Sequence, residues 1–132
     1  MKGSTAALEL LAPRADVWGF LAEPYHLADW WPGITGVVPD RRGFAPGARW
    51  NVHATKWNVF AGSRAVETMV LIREIDLYER WTWHLLDPPT DVEVRLQATG
   101  EERTRVTVAV SRGKAAPAVK RLYDLVQTGA SW

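Results

Sequence analysis

The sequence contains no cysteine, so disulfide bonds, thiolate metal sites and cysteine nucleophiles are excluded. It also lacks an excess of charge of one sign. There are 16 Lys and Arg residues against 15 Asp and Glu residues, and the formal net charge is +1. A protein that binds nucleic acid by neutralising phosphates usually carries a basic stripe, so no nucleic-acid partner is expected.

Long hydrophobic runs are missing as well. No stretch approaches the roughly 18 apolar residues of a membrane-spanning helix. The apolar start of the chain is interrupted by Glu9 and lacks the hydrophobic region of a signal peptide. With 132 residues, the chain is expected to form a single domain over residues 1–132, in a soluble, cytoplasmic protein without a membrane span.

Several catalytic motifs are absent. The sequence has no Gly-x-Ser-x-Gly motif, phosphate-binding loop or dinucleotide fingerprint. The three histidines, His26, His53 and His84, lie on different predicted elements and show no metal-ligand spacing. His53 and His84 alternate with apolar neighbours, which predicts that they point away from the buried face. We therefore expect neither a metal nor a cofactor.

Tryptophan is the residue in excess. It occurs eight times, against three phenylalanines and three tyrosines. A domain of this size can bury a few indoles in its core. Eight tryptophans indicate that some of them have a role outside core packing, such as lining a binding site.

The chain begins and ends with helical patterns that flank a long series of strands. Residues 5–11 predict a first strand, and two short helices follow, started by Pro13 and Pro24. The last segment, residues 115–128, has one apolar stripe at helical spacing. Strands are predicted between them at residues 34–38, 48–55, 64–75, 80–86, 91–98 and 104–111.

Short turns between these strands favour antiparallel hairpins. The alternation of Trp81, Trp83 and Leu85 with polar residues indicates a sheet with one buried face. The apolar stripe of the last helix must be buried, and that face is the largest surface available. The expected fold is therefore α+β, a curved antiparallel sheet of six or seven strands around a C-terminal helix, with a ligand cavity between them.

Four stretches resemble the START-like, Bet v 1-like superfamily of helix-grip proteins, and within it the polyketide cyclase/dehydrase type. The first is APRADVWGFLAEPYHLADWWPG (residues 12–33), a Pro-started helix leading to a Trp-Pro turn. The others are PGARW (46–50), ERWTWHL (79–85) and TRVTVAV (104–110). Together they cover nearly the whole chain in the order expected for the superfamily.

The resemblance implies a cavity for an apolar or aromatic small molecule, and it does not imply a reaction. The predicted closing helix would span roughly 20 Å, which is shorter than in many members of the superfamily. A short helix leaves a smaller pocket or a more open mouth. It also allows a partner subunit, as in a homodimer, to complete the closure.

The tryptophans divide into groups by position. Trp18, Trp30 and Trp31 lie on the two short helices and are explained by packing, with Trp31 the best placed to reach the cavity. Trp57 and Trp132 are not assigned. The residues predicted to bind the ligand are Trp31, Trp50, Val66, Thr68, Val70, Trp81, Trp83, Val94, Val108, Val119, Leu122 and Tyr123.

Few polar side chains share the inward face. Tyr123, Arg64 and Thr68 are the candidates for moving protons if the protein is an enzyme that cyclises or dehydrates a polyketide-like substrate. Their other interpretation is structural: a hydroxyl bonded locally, or a solvated strand end. Three functions stay open at this point, namely an enzyme, a small-molecule carrier and a protein-interaction module of the chaperone co-activator kind.

Overall fold

Seven strands of the protein form an antiparallel sheet in the computed structural model, which describes residues 3–58 and 62–127. Side chains are described for residues 3–55 and 65–126. The order across the sheet is β1-β7-β6-β5-β4-β3-β2. The strands are β1 (Ser4–Leu10), β2 (Ile34–Pro39), β3 (Arg49–Asn58), β4 (Gly62–Asp76), β5 (Arg80–Leu85), β6 (Thr90–Gly100) and β7 (Arg103–Val110).

Two short helices connect β1 to β2. Pro13 precedes α1 (Arg14–Ala22), and Asp16 lies in its first turn. The negative charge of Asp16 interacts favourably with the positive end of the helix dipole there. A 3₁₀ turn (Pro24–His26) follows and leads directly into α2 (Leu27–Trp30). The last helix, α3 (Ala116–Gln127), closes the described chain.

The alternation along the central strands produces the core. On β5, Trp81, Trp83 and Leu85 are buried, while the residues between them are half-buried on the other face. Strands β6 and β7 continue the same pattern with valine and leucine. Each of these aliphatic side chains contributes about 1.5–3 kcal/mol when fully buried, so this face supplies much of the stability.

The closing helix α3 packs against β1 with Ala118, Val119 and Leu122 buried beneath it. Its start is tied to the same strand, because the backbone N–H of Ala115 donates to Ser4 Oγ at 2.8 Å. Helix α3 also contacts α2 and β7. The apolar stripe predicted from the sequence is therefore the buried face of the helix.

The predicted α+β helix-grip architecture is confirmed, with seven strands around the C-terminal helix. The differences lie at strand ends. β4 starts at Gly62 rather than residue 64, and β6 extends to Gly100 rather than residue 98. Gly62 and Gly100 are the terminal residues of these strands. Hydrophobic periodicity does not predict whether such residues pair with the neighbouring strand. In the part of the chain that the structure describes, no helix is long and apolar enough to cross a membrane.

Candidate functional site

A partly open cleft of about 430 Å³ lies at the end of the sheet where α2 leads into β2. Its volume falls within the range of small-molecule sites, which is about 300–1,000 Å³. The apolar part of its lining includes Trp31, Ile34, Ala54, Val66 and Leu85. The site thus joins the α2–β2 connection to the middle of strands β3 and β4 and to the end of β5.

The rim of the cleft around Trp31 is held by backbone hydrogen bonds. Gly33 has a φ of +87°, a left-handed conformation that favours glycine. In this conformation its carbonyl accepts a hydrogen bond from the backbone N–H of Thr55 at 2.8 Å. The indole of Trp31 packs edge-to-face on Trp83, with ring centroids 4.9 Å apart. The rim and its aromatic side chain are therefore positioned before any ligand arrives.

Two of the polar side chains of the cleft, Thr68 and Thr90, form hydrogen bonds with the β5–β6 loop. Thr68 Oγ1 accepts a hydrogen bond from the backbone N–H of Asp87 at 3.0 Å, so its own hydroxyl proton can still be donated. Thr90 is buried, and its hydroxyl donates to the carbonyl of Pro88 at 2.8 Å. Both threonines line the cleft. One of them, Thr68, therefore offers a hydrogen bond to a bound molecule.

Behind the cleft the interior is filled by a tryptophan cluster, defined here as Trp30, Trp50, Trp81 and Trp83. All four indoles are at most 1% exposed. Trp81 is central, with its ring centroid 5.7 Å from that of Trp83, 5.9 Å from Trp50 and 6.4 Å from Trp30. Phe44 of the β2–β3 loop adds a contact at 5.0 Å to Trp81.

The tryptophan cluster contains three of the residues that the sequence analysis predicted to bind the ligand. Trp50, Trp81 and Trp83 face inward as predicted, but they are absent from the lining of the cleft and pack on one another. Strand parity predicts the face of a side chain, and it does not predict whether the space in front of that side chain is open. Neighbouring rings occupy this space.

Three of the predicted ligand-binding residues line the cleft: Trp31, Val66 and Thr68. Tyr123 is half-buried and lies instead in a shallow apolar groove between α3 and β1. Arg64 lies on β4, but its side chain is outside the described part, as is that of Trp57; Trp132 lies wholly outside it. The predicted residues that are buried in the core are Trp50, Val70, Trp81, Trp83, Val94, Val108, Val119 and Leu122. A ligand contact by any of these residues stays a prediction.

The histidines lie away from the cleft lining, and each has a local partner. His84 Nδ1 is 2.8 Å from Asp91 Oδ1, and His53 Nδ1 is 3.7 Å from Glu67 Oε2. His26 Nδ1 lies 2.8 Å from the carbonyl oxygen of Phe20. Across residues 3–58 and 62–127, no three His, Asp or Glu side chains come together in a group able to hold a metal ion.

Sequence reasoning missed the charged residues of the cleft, which are Asp87, Arg112 and Lys114. They lie in the β5–β6 and β7–α3 loops. Loops have no periodicity from which a direction can be predicted. The one available signal was the pair of cations flanking Gly113 just before the closing helix.

The seven-stranded sheet and the C-terminal helix packed on it define a protein of the START-like, Bet v 1-like fold, as the sequence resemblance implied. The cleft was expected between the sheet and this helix, but it lies at one end of the sheet and no residue of α3 is part of its lining. A family model described as "Activator of Hsp90 ATPase homolog 1-like protein" matches residues 11–130. The chain belongs to this family. The polyketide cyclase/dehydrase type, to which the resemblance pointed, stays a prediction. A search of curated proteins finds none that matches.

Solved structures agree with this fold. A protein from Nitrosomonas europaea superimposes with a TM-score of 0.71 at 17% identity, covering 99% of this chain and 97% of the other. Norcoclaurine synthase from Thalictrum flavum, a point mutant in complex with a transition-state analogue, has a TM-score of 0.67 at 16% identity, covering 98% and 96%. An AHSA1-like protein from Aeromonas hydrophila has a TM-score of 0.66 at 14% identity, covering 96% and 94%.

Proposed function

We propose that the protein binds an apolar small molecule, with an aromatic or extended aliphatic body, in the cleft beside Trp31. The observation that carries this proposal is the cleft itself, about 430 Å³ with Trp31, Val66 and Leu85 among its walls. Burial of apolar surface supplies the affinity, at roughly 25 cal/mol per Å² before the costs of association. The hydroxyl of Thr68 adds a directional contact.

The position of Trp31 supports an aromatic ligand in particular. Its ring is half-buried and is held from behind by Trp83 and Trp30, with centroid distances of 4.9 Å and 5.4 Å. A ring that is already immobilised loses little side-chain entropy when a ligand packs on it. Aromatic pairs add about 0.5–1.5 kcal/mol beyond the burial of their area.

The proposal concerns binding and assigns no catalytic residue. Tyr123, the candidate for moving protons on the closing helix, lies outside the cleft lining. Thr68, which does line it, is a weak acid and a weak base at neutral pH. Norcoclaurine synthase has the same fold and is an enzyme, so an enzymatic role requires activity assays with polyketide-like substrates rather than an argument from the fold.

A second candidate function is protein interaction of the co-activator kind. It is supported by the name of the family and by the tryptophan cluster, which fills much of the interior. In this case the core would serve only to hold the sheet rigid. A ligand titration separates the two functions. Saturable binding that depends on the cleft residues is expected only if the protein binds a small molecule.

Titration with neutral naphthalene derivatives, followed by intrinsic tryptophan fluorescence, tests the small-molecule proposal. We expect saturable binding that weakens about tenfold or more in Trp31→Ala, since the main aromatic wall is removed. A second variant, Ala54→Leu, fills the cleft with extra methyl groups without removing any core side chain, and we expect it to weaken binding as well.

Leu77→Ala is the matched control, because Leu77 is 63% exposed in the β4–β5 turn and is not part of the cleft lining. Circular dichroism shows whether each variant is folded. Saturable binding that is equally tight in all three folded variants would contradict the proposed site. No saturable binding in the wild-type protein would favour the interaction function.

A further inference from the structure

Two cationic side chains of the cleft have no acidic partner in the part of the chain that the structure describes. Arg112 and Lys114 line the cleft and are exposed. Arg80, on the outer face of the sheet, shows the contrasting arrangement. Its guanidinium lies 2.7 Å from Glu93 Oε2 and 2.9 Å from Glu74 Oε1. The charges of Arg112 and Lys114 are therefore available to a bound molecule.

The turn between the two cations explains why both reach the same cleft. Gly113 separates them and has a φ of +80°, in the left-handed region that favours glycine. This turn connects the end of β7 to the start of α3. It therefore places two basic residues beside the apolar walls formed by Trp31 and Leu85.

Asp87 is the acidic residue of the cleft lining, and it does not cancel both cations. Its backbone N–H donates to Thr68 Oγ1, which ties its loop to β4. Among the ion pairs of the described residues, none joins the Asp87 carboxylate to Arg112 or Lys114. Two positive charges and one negative charge leave the cleft with a net charge of +1, the complement of one singly charged anion.

We propose that the ligand of the cleft is a carboxylic acid with an apolar body, bound through its carboxylate by Arg112 and Lys114. This inference rests on the proposed function and adds the class of ligand to it. The apolar body packs against Trp31, Val66 and Leu85, and the carboxylate lies at the open, basic side. Guanidinium and ammonium groups bind carboxylates through charge-assisted hydrogen bonds, which are stronger than neutral ones.

Pairs of probes that differ only in charge test this proposal. We would titrate the full chain calorimetrically with 2-naphthoate and 2-naphthamide, and with decanoate and decanamide. The acid of each pair is expected to bind about tenfold more tightly than its neutral amide. The advantage is expected to shrink at high salt, because the cations are exposed and screened.

Two variants test the roles of the charged cleft residues, and a third serves as the matched control. The double substitution Arg112→Gln with Lys114→Gln is expected to remove the preference for the acid, so that each acid and its amide bind with similar affinity. Asp87→Asn is expected to tighten binding of the acid about twofold to threefold, because it removes a repelling charge. Arg121→Gln removes an exposed cation of α3 outside the cleft lining and is expected to change neither affinity.

The possible results are separable. Equal affinities for acid and amide, or an acid preference that survives the double substitution, would overturn the assignment of a carboxylate ligand and leave the cleft as an apolar site. No binding of any of the four probes would overturn the proposed function as well.

Discussion

The four indoles of the tryptophan cluster differ in the partner of their N–H group. Trp50 Nε1 donates to the carbonyl of Gly43 at 2.7 Å. The corresponding groups of Trp30, Trp81 and Trp83 are buried and have no acceptor within the described residues. A buried donor without a partner costs about 1–3 kcal/mol. Trp50 therefore contributes to stability through its ring and its hydrogen bond, and Trp81 through its ring alone.

This difference predicts unequal effects of the same substitution. Trp50→Phe and Trp81→Phe each shrink a buried ring, but Trp50→Phe also leaves the Gly43 carbonyl without its donor. We expect Trp50→Phe to lower the free energy of unfolding by about 1 kcal/mol more than Trp81→Phe, as measured by urea denaturation. An equal or larger loss in Trp81→Phe would contradict the different roles given to the two N–H groups.

At the scale of elements, the β2–β3 loop connects the surface to the tryptophan cluster. Asp40, directly after β2, accepts hydrogen bonds from the backbone N–H groups of Arg49 at 2.9 Å and Arg42 at 3.0 Å. The loop between these contacts carries Gly43, the acceptor for Trp50, and Phe44, which packs on Trp81. An exposed carboxylate thus holds the loop that closes this side of the core.

The same contacts predict a pH dependence. The backbone hydrogen bond from Arg49, followed by that from Arg42, holds the pKa of the Asp40 carboxyl below its ordinary value. Because this pKa is lower in the folded state, ionised Asp40 stabilises the fold above its unfolded pKa. This contribution is lost as the pH falls through the lowered folded pKa.

The variant Asp40→Asn is therefore expected to be less stable than the wild type at neutral pH. Between about pH 5 and about pH 2 its stability is expected to fall less steeply, since one titrating group is missing. Thermal unfolding at a series of pH values measures both effects. Parallel stability curves for the two proteins across this range would contradict the role given to Asp40.

On the scale of the whole molecule, aromatic rings are packed together at one end of the fold, and the open cleft lies at the other end. At one end, Phe44 of the β2–β3 loop packs on the tryptophan cluster, and Trp18 of α1 packs on Phe44 with a centroid distance of 5.7 Å. At the other end, the α2–β2 connection, the β5–β6 loop and the β7–α3 turn contribute to the lining of the open cleft. Trp31 connects the cleft to the tryptophan cluster, because it lines the cleft and packs on Trp83.

The sequence predicted the architecture of the molecule but only part of the site. Alternation on β5 and the helical stripe of α3 depend on burial, and burial leaves a regular pattern in the residue types. The contents of the interior depend on how side chains from distant segments meet, as Phe44 meets Trp81. The cations Arg112 and Lys114 act from a turn, where only a glycine between them hinted at a special conformation.

The central claim, that a small molecule binds in the cleft beside Trp31, is tested most directly by the indole N–H resonances in ¹⁵N–¹H spectra. Titration with 2-naphthoate should produce a saturable shift that is largest for Trp31 and next largest for its neighbour Trp83. The resonance of Trp18, at the opposite end of the fold, should stay in place. No saturable shift, or a largest shift at Trp18, would contradict the account.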